Sequence, residues 1–182
     1  MTASHSIVAF LPCRAGSERV PRKNIRPFAG HAHGLISIKL RQLVDCPGIA
    51  RVVLSSNDPE ILDFAAGLAE DPAVAARLEL HRRAEHLSSS ETSTDALVGH
   101  ARDLIPDAHI LWTHVTSPFV GAPAYARIID AYRKALADGY DSLMTTTRLH
   151  AFLWDEDGPL NYDRSIEKWP RTQTLAPVHE IN

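Results

Sequence analysis

From Arg14 to Arg26 the chain sets five basic side chains, Arg14, Arg19, Arg22, Lys23 and Arg26, against one acid, Glu18. The local charge is therefore +4 in a 182-residue molecule of formal charge −3. Guanidinium and ammonium groups at that density suit an anion, and Arg14, Arg19 and Lys23 together can surround several phosphate oxygens. Gly16 would let the backbone approach such a ligand closely, and Ser17 adds a hydroxyl. A solvated basic surface loop is the plain alternative, and charge alone does not exclude it. The spacings GxxxxGK[ST] and GxGxxG are both absent, so this is neither a Walker loop nor a dinucleotide-binding turn.

The elements around the loop must position it. "SIVAFLPC" before it is an apolar run of β-formers, as expected of a strand buried on both faces. "GLISIKLRQLVDC" after it places Leu35, Ile38, Leu40, Leu43 and Val44 at helical intervals, and "RVVLSS" predicts a second buried strand. Asp58-Pro59 supplies an N-cap and a first-turn proline for a helix carrying Ile61, Leu62, Phe64 and Ala65. "RLELHRR" predicts a short strand, "SETSTDALVGHARDLI" a capped helix and "HILWTHV" another strand that ends in the turn "TSPF". "APAYARIIDAYRKALADG" is the clearest amphipathic helix, with Gly139 at its end, and "YDSLMTTT" is expected to complete the alternation as a strand. The βαβα order predicts a three-layer, Rossmann-like α/β fold with a mainly parallel sheet. In such sheets ligands gather beyond the carboxyl ends of the strands, where the basic loop must lie. The expected division is a core over 1–148 and an irregular arm over 149–182, with Asp157-Gly158-Pro159 as a turn.

Composition narrows the function classes. An apolar share of 45% and a charged share of 23% belong to an ordinary globular protein, with no apolar run near the ~20 residues of a membrane span. A chain of this length buries roughly 70% of its unfolded surface. The amino terminus reads as a first strand and not as a signal peptide, so a cytoplasmic address is expected. Cys13 and Cys46 suggest buried free thiols, with no zinc spacing. The net charge argues against a nucleic-acid coat. No HExxH accompanies the histidines, His31 and His33 form a loop pair, and Ser88, Ser89 and Ser90 read as turn and cap residues without a GxSxG elbow.

"RAGSERVPRKN" resembles the opening signature of the N-acylneuraminate cytidylyltransferases, close to R-x-G-S-K-x-x-P-x-K-N. Arg14, Gly16, Ser17, Pro21, Lys23 and Asn24 match it in register. "VVLSSNDPEI", "RRAEHLSSSETSTDAL" and "WTHVTSPF" are similar to three further family blocks in the same order, and together they cover most of residues 7 to 145. The resemblance implies a nucleotidyltransferase fold and transfer of CMP from CTP to the anomeric hydroxyl of a 2-keto acid sugar, with release of pyrophosphate. Carried over by position, Arg14 and Lys23 would be catalytic, holding the triphosphate. Gly16, Ser17, Arg19, Asn24, Arg82, Arg83, Thr94, His114 and Ser117 would bind the nucleotide. Arg171 and Gln173, in "PRTQTLAP", would meet the sugar, the arginine through its carboxylate.

The same resemblance implies Mg2+ as cofactor, CTP and an acid sugar as partners, and a homodimer formed through an arm such as the one carrying Phe152, Trp154, Tyr162 and Trp169. The family pattern departs here at Glu18, where it has a lysine, and at His114, where it has a glutamine near the base. Its magnesium-binding aspartates are expected in a segment that would begin where this chain stops at Asn182. Asp58 and Asp95 are the other acids to consider, and helix capping is the reading preferred for both. A noncatalytic nucleotide-binding module, and a nucleotidyltransferase with another base or acidic acceptor, are the alternatives.

Overall fold

The structure, a computed structural model, describes residues 6–17 and 20–181. Two compact units divide the chain, Met1–Asp130 and Ala131–Asn182. In the first, strands β1 (Ile7–Cys13), β2 (Arg51–Ser56), β3 (Leu78–Arg82) and β4 (His109–Trp112) form one parallel sheet in the order β3-β2-β1-β4. The connections carry α1 (Gly34–Val44), α2 (Pro59–Leu68), the single turn α3 (Pro72–Ala75) and α4 (Thr94–Leu104). Helix α5 (Ala122–Ala137) follows β4.

That strand order has a functional consequence. The chain moves outward from β1 to β3, then returns to the other side of β1 with β4. The order reverses between β1 and β4, and a crevice opens at such a switch point beyond the strand ends. The basic loop leaves β1 there, and the "TSPF" turn leaves β4 beside it.

Burial explains the strand patterns. Ile7 to Leu11 and Val52 to Leu54 are buried on both faces of the sheet, so their sequences run apolar without alternation. On one face Val8, Phe10 and Val53 form a cluster with Ala101 and Ile105 from α4 and the residue after it, joined by Ile110 and Trp112. Asp58 caps α2 by accepting the Glu60 amide at 3.1 Å, and Ser93 caps α4 by accepting that of Ala96 at 3.2 Å. Both caps agree with the sequence, and Asp95 lies in the first turn of α4.

The apolar face of α1 is not quite the expected one. Ile36, Lys39, Leu40 and Leu43 are buried, spaced i, i+3, i+4, i+7, whereas Leu35, Ile38 and Val44 are half-buried. The face thus includes a lysine, whose ammonium is fully supplied with acceptors. At the head of α1 Gly34 has φ +50°, and a Cβ there would fall 1.9 Å from the Arg26 carbonyl oxygen. Only glycine admits that approach.

The "YDSLMTTT" expectation needs correction. Residues 140–145 are irregular, and β5 (Thr146–Leu149) pairs antiparallel with β6 (Val178–Ile181) in a separate two-stranded sheet. Gly139, at φ +91°, ends α5, and Ser142 then donates to the Asp141 carboxylate at 2.9 Å, a local bond that competes with a ladder. The β-branched pair Thr146 and Thr147 takes its partners from the chain's end instead.

The second unit is organised by one buried amide. Asn161 donates to the carbonyls of Ala151 and Ala176 at 2.9 and 2.8 Å and accepts the Leu153 amide at 3.3 Å. Asp155 accepts the amides of Asp157 and Gly158, which makes the Asp157-Gly158-Pro159 turn. The Arg164 guanidinium lies over the rings of Trp154 and Trp169, 5.2 and 5.4 Å from their centres. Cys13 and Cys46 are buried free thiols. No helix among the described residues is long and apolar enough to cross a membrane.

Candidate functional site

At the β1/β4 switch point a cleft of about 280 Å³ is lined by Pro12, Arg14, Ser17, Lys23 and Asn24 from the β1 side. His114, Val115 and Thr116 line it from the β4 side. A second cleft of about 260 Å³ shares Arg14, Ser17 and Asn24 and adds Gly16, Pro21, Arg22 and Asp58. Arg14, Gly16, Ser17, Lys23, Asn24 and His114 are thus brought together by residues that lie a hundred positions apart. Arg19, with Glu18, lies outside the described residues.

Local bonds set the loop's shape. Gly16 has φ +72°, and a Cβ there would meet nothing within 4 Å, so glycine answers to the backbone turn and leaves open space above it. Asn57, just past β2, accepts the Ala15 amide at 2.9 Å and donates to Glu85 at 3.0 Å. Asn24 donates to the Arg14 carbonyl at 3.2 Å, closing the loop on itself, while its own carbonyl accepts the Ile36 amide at the start of α1. Arg22, at φ +52°, pairs with both carboxylate oxygens of Glu60. One cation of the loop is therefore committed within the protein.

The remaining candidates are distributed. Arg83 is buried just past β3, its Nε donating to the Ser88 hydroxyl at 3.1 Å, whereas Arg82 is exposed at the strand's end. Burial lowers the Arg83 pKa, the Cys13 sulfur opposes that shift and the Arg14 charge adds to it. Arg83 therefore lies within electrostatic reach of the loop. Thr94 is exposed as the first residue of α4. Ser117 is half-buried, and its carbonyl accepts from Lys39 at 2.7 Å. In the second unit Arg171 and Gln173 are exposed on the short turn at Thr172–Thr174, where the Arg171 carbonyl accepts the Thr174 amide and hydroxyl.

Sequence reading missed Lys39. Its Nζ, buried in the first unit, donates to the Ser117 and Val120 carbonyls at 2.7 and 3.1 Å and to the Tyr125 hydroxyl at 2.8 Å. Tyr125 in turn bonds the Thr113 hydroxyl at 2.6 Å. Gln42, one turn further along α1, donates to the Pro118 carbonyl at 2.7 Å. The "TSPF" turn that walls the cleft is thus clipped to α1. The available signal was the helical spacing Ile36, Lys39, Leu43, which puts the lysine on the apolar face.

His114 accepts a hydrogen bond at Nε2 from the Trp112 indole N–H, 3.0 Å away. Its pKa is lowered by desolvation first and then by the Lys23 charge. Among the described residues no group of three or more His, Cys, Asp or Glu converges as a metal site. Asp58 is the one carboxylate among the described residues lining the two clefts, and one of its oxygens is taken by the α2 cap.

The cytidylyltransferase family model matches residues 8–167. A pseudaminic acid cytidylyltransferase of Campylobacter jejuni is 31% identical over 143 residues, covering 77% of this chain and 57% of the relative. N-acylneuraminate cytidylyltransferase A of Danio rerio is 29% identical over 154 residues, 84% of this chain and 33% of its own length. The chain therefore spans little more than half of the first relative and a third of the second. Among solved structures, a CMP:2-keto-3-deoxy-manno-octonic acid synthetase complexed with CTP superposes with a TM-score of 0.65 at 16% identity, over 97% of this chain and 71% of that one. A 4-diphosphocytidyl-2C-methyl-D-erythritol synthase from Anaerococcus prevotii gives 0.60 at 15%, over 97% and 68%. These likenesses carry the fold, a Rossmann-like α/β sheet. The family match over residues 8–167 takes in β2, β3, β4 and all of β1 but Ile7, with the basic loop and the turn after β4, and by it this chain belongs to the cytidylyltransferase family.

Proposed function

We propose that this chain binds the nucleotide in the transfer of CMP from CTP to an acid sugar of the pseudaminic or N-acylneuraminic kind, releasing pyrophosphate. The observation that carries the reading is the convergence of Arg14, Ser17, Lys23 and Asn24 with His114 on one cleft at the strand-order reversal. Attack at the α-phosphorus builds charge on the phosphoryl oxygens and on the departing pyrophosphate, and preplaced cations lower that barrier. Arg14 and Lys23 take that role, and Gly16 leaves room for the phosphates. Arg171 and Gln173 are proposed to meet the sugar.

Mg2+ belongs to the proposal as the ion the triphosphate brings, since it keeps waters and takes phosphate oxygens with few carboxylates. The described cleft residues supply Asp58 alone, short of the pair the family implies, so no step here runs through the metal. A second copy of the chain is proposed as partner of the exposed Trp154, Ile166 and Trp169, and a sedimenting mass twice that of the chain is expected.

The experiment is thermal unfolding with CTP, UTP, GTP and ATP in turn, each with magnesium, followed by pyrophosphate release with CTP and either sugar. A ligand that binds the native state alone stabilises it by mass action, by about 2.7 kcal/mol at a hundred times its Kd, and so raises the midpoint. A rise with CTP and not with the purine nucleotides is expected. No rise with any of them overturns the reading, and CTP binding without pyrophosphate release turns it into a binding module.

A further inference from the structure

His114 has one ring nitrogen spoken for. The Trp112 indole can only donate, so the Nε2 it meets at 3.0 Å must present a lone pair, and the imidazole proton then resides on Nδ1. The anchor is itself held. Trp112 ends β4 in register with Phe10 of β1, and its ring packs on the Phe10 ring with centres 5.0 Å apart. The His114 ring stands edge-on to it, 6.1 Å away at 66°. No partner for Nδ1 is found among the described residues, and His114 is exposed where it lines the cleft.

We infer that Trp112 is a positioning residue that fixes His114 in the Nδ1–H tautomer, so that His114 offers a ligand in the cleft a hydrogen-bond donor. This rests on the reading of the cleft as a nucleotide site. A second proton would have to enter at Nε2, against the indole N–H, and two donors would then face each other. The Lys23 charge works in the same direction, and no described residue lining that cleft is a carboxylate that would favour an imidazolium. The His114 pKa is lowered by desolvation and then by the Lys23 charge. A glutamine at this position could donate from its amide without help. A histidine needs its tautomer chosen, which gives Trp112 a task at the site that it never touches.

The test has two parts. Long-range 15N spectra of the ligand-free protein, with the His114 signals identified by their loss in His114→Gln, are expected to show the Nδ1–H form at neutral pH. In Trp112→Phe the spectrum is expected to move towards a mixture of tautomers, with a titration midpoint nearer the ordinary histidine value. Calorimetric titration with CTP then compares wild type, Trp112→Phe, His114→Gln and the double variant. Loss of the anchor is expected to weaken CTP about three- to tenfold in the histidine background, the worth of one hydrogen bond, and less than about twofold in the glutamine background.

An Nε2–H signal in the wild type overturns the inference, and so does equal weakening in both backgrounds, which is what a merely structural tryptophan would give. The wild-type spectrum needs no variant, so a poorly folded Trp112→Phe leaves it decisive. Failure of wild-type protein to bind CTP sinks the nucleotide reading and the ligand half of this inference together, and the ligand-free spectrum separates that result from a wrong tautomer.

Discussion

Charge in the basic loop is unevenly available. Arg22 is paired with Glu60 and Asn24 closes the loop on the Arg14 carbonyl, whereas Lys23 lines the cleft and its charge reaches His114 across it. Lys23→Ala should therefore remove transition-state stabilisation without touching the fold. Turnover is expected to fall by about 10²–10³, the usual cost of losing one such group, while the unfolding free energy changes by less than about 0.5 kcal/mol. Steady-state kinetics beside thermal unfolding checks both halves. The motif containing Lys23 is legible because its residues are neighbours in the chain. That Arg83 turns inward and Arg82 outward is not legible, since strand periodicity stops where β3 ends.

Helix α1 does more than cover the sheet. Through Lys39 it holds the turn after β4, so a core position of the helix sets the wall of the cleft. Burial pushes Lys39 down from 10.5 to about 8. The folded protein therefore releases that proton at lower pH than the unfolded chain does. The cost of burying the charge is fully present below about 8 and is relieved as pH climbs to 10.5. Wild type should consequently gain stability relative to Lys39→Met across that window, as read from the difference between their unfolding curves. The variant should also show a smaller CTP-induced rise in midpoint at neutral pH, because the carbonyls of Ser117 and Val120 lose their donor. A pH-independent difference between the two would refute the buried-charge account. The lysine escaped the sequence reading because a cationic residue is normally counted as the solvent side of a helix.

Over the whole molecule, both cysteines report on the first unit. Cys13 ends β1 and Cys46 follows α1; both are buried, and desolvation drives the Cys13 thiol up to about 12. Neither should react with a disulfide reagent in the folded protein, since the thiolate is the nucleophile and access is closed. Through a urea transition both should become reactive together, at the midpoint seen by circular dichroism. Reaction of Cys13 ahead of that midpoint would show that the strand bearing the basic loop opens on its own. The second unit was the least legible part. Its organising residue, Asn161, carries no periodic signal, and its three bonds to chain segments before and after it appear only once the segment has folded back.

The sequence by itself determined the alternation of strands and helices through β4, the cap at Asp58, and the crowding of basic side chains after the first strand. All of these are written in residues close together in the chain, where propensity, periodicity and motif act. The tertiary structure alone decided that β4 returns beside β1, that Lys39 faces inward, that Trp112 reaches His114, and that "TTRL" pairs with the chain's end instead of the main sheet. Each of those depends on which distant groups supply a buried donor with an acceptor or a strand edge with a partner, and that choice exists only after the chain has closed on itself.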